Sequence, residues 1–184
     1  MTIEQTVVAS AVREWTLNID RARALFAGLG DDQLCIAVAP GKNRLVYLFG
    51  HLIAVHDAML PLLGIGARLH PELDASFLAG SDQSLAEVPS AEHLLRLWDE
   101  VHAPLLAGIR AYTAADWTQQ HSAVSDADFA VNPLRNRLAV LLSRTTHVAY
   151  HLGQVRLVVK PVCWGGSFSD IKWSDHHSFR NEHE

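Results

Sequence analysis

LVYLFGHLIAVHDAMLPLLGIGARL, residues 45–69, is the stretch on which the fold turns. Its length and apolar character suit either a membrane span or the central helix of a buried bundle. A span needs ~20 predominantly apolar residues. Here His51, His56 and Asp57 interrupt the run and Pro61 follows, and ionisable groups at membrane depth are costly. The stretch therefore reads as a bundle helix from about Asn43, a candidate N-cap, to Leu63. Being apolar on nearly all sides, it should be the most buried helix of its set. Gly64 and Gly66 stand just past its end, where glycine commonly stops a helix.

Three more long helical patterns surround it. The first opens on Thr2-Ile3-Glu4-Gln5, a T-x-x-Q capping box whose two side chains satisfy free backbone N–H groups. Val8, Val12, Trp15, Ile19, Ala22, Phe26 and Leu29 follow in alternating steps of four and three, one stripe of an amphipathic helix. Gly28 and Gly30 mark its end, and GDDQL is expected to begin a loop. Ser90 caps the next helix, which carries Leu94, Leu97, Trp98, Val101, Leu105 and Ile109. Pro104 should kink that helix or end it early. TAADW resembles a turn, and Asn132-Pro133 supplies an N-cap with proline at the first helical position. The last helix then runs to about Lys160, where Pro161 stops it.

No alternating Val/Ile/Thr-rich segments bounded by hairpin turns occur, so no sheet is expected. The fold class is all-α, a four-helix bundle over residues 1–160. A long connection between the second and third helices, Gly64 to Pro89, should form a lid or contain short helices. Residues 161–184 form a C-terminal extension, with Trp164, Phe168 and Trp173 expected to dock on the bundle or on a partner subunit. A net charge of −5 gives no basic field for nucleic acid or anionic lipid. The N-terminus lacks the basic start and apolar core of a signal peptide. Cys35 and Cys163 form no CxxC pair. The expectation is a cytoplasmic protein with a small-molecule substrate, and neither a nucleic-acid nor a membrane partner.

Eleven histidines are the unusual feature. Three lie in the terminal run DHHSFRNEHE, so their placement elsewhere carries the information. In THVAYHLGQ, Thr146–Gln154, two histidines stand four apart. On a helix that separates them by about 40° in direction and about 6 Å in height, so His147 and His151 can face one cation. Arg144, Tyr150 and Gln154 share that face. A polar stripe aimed into a bundle needs partners, and hydrogen bonds would satisfy it as well as an ion would. His51, inside the most apolar helix, is a second polar intrusion. His56 competes with it but lies about 140° further round the same helix, so the two cannot easily point at one ion.

HLIAVHD on the second helix, with LLSRTTHVAYHLGQVRLV on the last, resembles the DinB-like superfamily. Its pattern is a histidine followed by leucine on helix two, then H-x-x-x-H-x-G-Q on a later helix. GDDQL and NPLRNRLAVLL add to the likeness, which extends over residues 4–160. The resemblance implies a four-helix bundle in which His51, His147 and His151 bind one divalent ion, zinc or nickel. It also implies a homodimer, and in some members thiol transfer or isomerisation with a low-molecular-weight thiol. Relatives commonly carry an acidic residue where this chain has His56.

Three neutral imidazoles would leave the ion's charge intact and a coordination position open. Water or a thiol bound there becomes easier to deprotonate. Two functions from different classes follow. One is a metal-dependent hydrolase or thiol S-transferase, with Arg144 and Tyr150 as candidate catalytic residues orienting an anionic substrate. The other is a non-enzymatic, stress-associated binding or dimerisation module in which the metal is structural. Bis-histidine haem binding is a third reading. Gly153 and Gln154 are candidates for helix packing and ligand orientation. The chain has no HExxH, no paired E-x-x-H helices, no G-x-S-x-G and no glycine-rich phosphate loop. Asp99-x-x-His102 is a weak mimic of a carboxylate di-metal motif.

Overall fold

A computed structural model describes residues 1–82, 85 and 87–159. The extension expected over 161–184, the docking of its aromatics and Cys163 lie outside the described residues. In chain order the helices are α1 (Ile3–Ala27), α2 (Asp31–Leu34), α3 (Leu45–Asp57) and α4 (Met59–Leu63). A π-helical turn follows (Ala75–Ala79), then α5 (Ala91–Ala111), α6 (Ala114–Trp117), α7 (Asp126–Val131) and α8 (Arg137–Val158). Among the described residues there is no strand, and two isolated bridges join loops. The chain is an all-α bundle of four long elements: α1, α3 with α4, α5 and α8.

α1 forms as its sequence dictates. The Thr2 hydroxyl accepts from the Gln5 amide N–H, and the Gln5 side chain accepts from the Thr2 N–H. Trp15, Ile19, Ala22 and Phe26 are buried, with Val8 and Val12 packed against the core edge. α1 packs on α5 and α8, and α3 packs on the same two, so α1 and α3 take opposite corners. Across that diagonal, Trp15 meets His56 edge-on at 5.0 Å between ring centroids. Phe26 stacks on Phe49 at 4.1 Å, and Phe49 leans on Trp98. Leu45–Leu63 is long and apolar enough to cross a membrane, but most of it is buried inside this bundle, as its polar residues suggest.

Several boundaries differ from expectation, each for a local reason. The N-cap of α3 is Arg44, not Asn43. The Arg44 N–H and guanidinium both donate to Asp82, which fixes the entry of the chain into the helix. The single long helix to Leu63 is divided at Ala58, which ends α3 and begins α4. Pro61 has no N–H for the Asp57 carbonyl, and its ring crowds that carbonyl. GDDQL contains the one-turn helix α2, with the Gln33 side chain accepting from Gly30 N–H. TAADW contains α6, closed by a Thr113–Asp116 capping box. α5 runs through Pro104 to Ala111. Pro104 and Glu100 lie on its exposed face, so the carbonyl left without a partner is open to solvent. α8 starts after Asn136, whose side chain accepts from Ala139 N–H. Asn132-Pro133 instead makes a turn, with Asn132 Oδ1 accepting from Leu134 N–H.

The long connection after α4 is fastened to α3 at several points. Asp57 is fully buried, and its carboxylate accepts from Arg68 Nε at 2.7 Å and from the N–H groups of Leu69 and His70. Tyr47 donates its hydroxyl to the Gly80 carbonyl. Phe77 lies on Gly50, where an added Cβ would come within 2.3 Å of its ring. Glycine at position 50 is thus what lets the π-helical turn approach α3, immediately beside His51.

Asp57→Ala would leave Arg68 Nε and two backbone N–H groups without their acceptor, while the two terminal nitrogens of Arg68 keep their pair with Asp74. Leaving a buried donor unsatisfied costs about 1–3 kcal/mol. A loss of that size is expected in urea unfolding of the variant; a loss under about 1 kcal/mol would show that water replaces the carboxylate.

Candidate metal centre

His51 comes from the middle of α3, and His147 and His151 from one face of α8. The bundle brings their ring nitrogens together. His147 Nε2 stands 3.2 Å from His51 Nε2 and 3.0 Å from His151 Nε2. One ligand atom from each of the three lies within 4.8 Å of the other two, so the trio can hold a metal ion. Two nitrogens held about 2.0–2.1 Å from a tetrahedral zinc stand roughly 3.3 Å apart. The observed spacings fit that donor set.

The tautomers fit as well. His51 Nδ1 lies 2.8 Å from the Phe77 carbonyl oxygen, which can only accept, so Nδ1 carries the proton. His151 Nδ1 lies 2.7 Å from Gln154 Oε1 and donates likewise. Both neutral rings therefore turn an Nε2 lone pair toward His147 Nε2. A single proton on His147 could serve one of these lone pairs but not both, whereas a cation serves all three. Burial is the first cause that pushes the His147 pKa down to about 4, followed by the charges of His151, His51 and Arg144. Burial also lowers that of His151, opposed by its bond to Gln154. Neutral imidazoles are the ligand form a divalent ion requires.

The remaining polar residues on this face of α8 divide in two. Gln154 is the orienting partner of His151, and its amide donates to the Tyr150 hydroxyl at 3.3 Å. Tyr150 is 63% exposed and meets His151 edge-on, so it stands at the rim. Arg144 is about half-buried. Among the described residues no carboxylate pairs with it, its Nε has no hydrogen-bond partner, and burial lowers its pKa from the ordinary value. A Cβ on Gly153 would meet nothing within 4 Å, so close packing does not require a glycine there.

His56 points away from the trio, as its position on α3 predicts. Its Nδ1 lies 2.9 Å from His102 Nε2, and His102 Nδ1 lies 2.7 Å from the Trp98 carbonyl oxygen. His102 is the partner that sequence reasoning missed. Its signal was present: it stands four residues after Trp98, on the buried stripe of α5. Asp99 is not part of a D-x-x-H site but pairs with Arg23 across the α1–α5 contact. The Phe77 carbonyl was also missed. A backbone acceptor leaves no trace in residue types, although Gly50 beside His51 marks a close approach.

A profile of the DinB superfamily matches residues 14–155. The chain belongs to that superfamily, and the match spans all three histidines of the trio. Among curated proteins, none matches the chain.

The buried pair makes a pH prediction independent of any ion. Burial holds the His102 pKa down to about 4 and that of His56 well below its ordinary value. In the unfolded chain both would titrate near ~6.5. Between those limits the unfolded state binds more protons, so stability is full above about pH 6.5 and falls as the pH drops toward 4. His102 alone should account for on the order of 3 kcal/mol. Chemical denaturation across pH 4–7 should show this slope, and His102→Phe should reduce it by the share of His102, leaving that of the other lowered histidines.

Proposed function

We propose that this DinB-superfamily bundle is a metal-dependent enzyme holding one divalent ion, zinc or nickel, on His51, His147 and His151. The observation that carries the reading is the convergence of three Nε2 atoms, two of them held as lone-pair donors by the Phe77 carbonyl and Gln154. When bound, such an ion supplies a Lewis-acid centre with open positions, favouring the deprotonated form of water or a small thiol. The reaction class is hydrolysis or thiol transfer on a small electrophile.

The chain's own residues divide the work. Phe77 and Gln154 keep two imidazoles in the ligand tautomer and fix their ring planes, which raises ligand basicity. Arg144, with no carboxylate partner among the described residues, would bind an anionic group of the substrate beside the trio. Tyr150, exposed at the rim and tied through Gln154 to His151, supplies a hydroxyl that can hold a proton or orient the substrate. The buried face of α3 excludes water from behind.

Elemental analysis of tag-free protein should find about one equivalent of zinc or nickel, falling to background in His147→Ala/His151→Ala. The loaded protein should then turn over a hydrolysable ester, or a thiol with an electrophile, and lose that activity on chelation. Bound metal with no turnover across such a panel would favour the alternative, a structural ion in a binding module. Arg144→Met should raise KM for an anionic substrate roughly 10- to 100-fold, the scale of one hydrogen bond to a charged group. A neutral analogue should be little affected.

A further inference from the structure

Three side chains along one face of α3 fasten a single stretch of the long connection. Arg44, Tyr47 and His51 follow in steps of three and four, so they lie one above the other on the helix. Arg44 donates to the Asp82 carboxylate, the Tyr47 hydroxyl donates to the Gly80 carbonyl at 2.8 Å, and His51 Nδ1 donates to the Phe77 carbonyl at 2.8 Å. The partners fall in number as the α3 residues rise, so residues 77–82 run antiparallel to α3 as a strap. The last tie of this strap is the one that turns His51 Nε2 toward the trio.

The Phe77 carbonyl can serve His51 because it is one of the last carbonyls of the π-helical turn Ala75–Ala79, which lack partners inside a helix. Where it points depends on how that turn is held. Gly80 ends the turn in extended backbone, and the Tyr47 hydroxyl fixes this exit three residues after Phe77. The Tyr47 ring also meets both members of the His51–Phe77 bond. The His51 ring lies near-parallel to it at 6.1 Å between centroids, and the Phe77 ring is tilted against it at 5.9 Å. Tyr47 is buried, and burial, followed by the charge of Asp82, raises its pKa, so the hydroxyl keeps the proton it donates.

We propose that Tyr47 is a positioning residue for His51, holding the strap at Gly80 so that the Phe77 carbonyl keeps His51 protonated at Nδ1 with Nε2 aimed at the metal. This rests on the metal reading above. A hydroxyl four residues before the ligand thus acts on it through backbone, without touching the ion. In Tyr47→Phe the Arg44–Asp82 tie and the packing of Phe77 on Gly50 stay in place, so the strap keeps its ends and loses its middle. The Gly80 carbonyl then turns to water for its hydrogen bond, and three residues carry that shift to Phe77. A neutral imidazole released from its acceptor can carry its proton on either nitrogen.

The test is zinc affinity by chelator competition, together with histidine ring ¹⁵N spectra of the metal-free protein. Wild-type spectra should show His51 and His151 protonated at Nδ1 and bare at Nε2. Tyr47→Phe should bind zinc about 10-fold more weakly. Its His51 should show a mixture of both tautomers, while His151, held by Gln154, is unchanged. Tyr112→Phe removes the same kind of bond elsewhere, from a tyrosine hydroxyl to the Leu63 carbonyl, and should leave both readouts at their wild-type values. Equal zinc affinity in wild type and Tyr47→Phe, or an unchanged His51 spectrum, would overturn the proposal while leaving the metal site intact. So would an equal loss in Tyr112→Phe, which would tie affinity to general stability. A wild-type His51 protonated at Nε2 would also overturn it, and needs no variant to fold. A wild-type protein that binds no zinc or nickel would overturn the metal reading and this proposal together.

Discussion

A helix buried on every side has no solvent against which to place a polar atom. That constraint, imposed by α3, organises much of this protein. The polar side chains at or along α3 find partners outside it: Arg44, Tyr47 and His51 in the long connection, at Asp82, the Gly80 carbonyl and the Phe77 carbonyl, His51 also on α8, and His56 at His102 on α5. Asp57, at its end, takes the chain leaving α4. Buried polar groups left unpaired cost on the order of 1–3 kcal/mol each, more if charged. These contacts are therefore conditions for burying α3 at all, and through them α3 fixes the long connection, α5 and α8 relative to itself.

The candidate metal centre is one consequence. His51 is held from behind by a π-helical turn that can approach only because residue 50 is glycine. His151 is held by Gln154, one turn along its own helix. Both rings are set before any ion arrives, so little side-chain ordering remains to oppose binding. Arg144 adds positive potential beside the trio, which favours neutral imidazoles and anionic ligands alike. On the opposite face of α3, His56 and His102 are embedded among Trp15 and Trp98. The two histidines of α3 thus serve separate surroundings, as their angular separation requires.

Much of this was legible in the residues. The capping box at Thr2, the stripe from Trp15 to Phe26 and the interrupted apolar run at 45–63 each specify helix and burial through local periodicity. The trio was legible because i, i+4 spacing is a local geometric fact, and because H-x-x-x-H-x-G-Q with a helix-two histidine is a family pattern. Boundaries were less legible. Asn132-Pro133 has the composition of a helix start, yet Asn136 caps α8, because a three-residue turn satisfies the Asn132 side chain first. Pro104 has the composition of a break, yet α5 continues, because the proline falls on the solvent side.

The sequence by itself determined that the chain is helical, that residues 45–63 are buried and that His147 and His151 share a face. All three follow from spacing and hydrophobic periodicity within one segment. Only the tertiary structure decided how closely His51 meets His147, that a backbone carbonyl at Phe77 holds His51, and that His56 belongs with His102. Those are encounters between segments 26 to 96 residues apart. Such encounters depend on how helices cross and on the depth at which each side chain meets its neighbour, which no local pattern encodes.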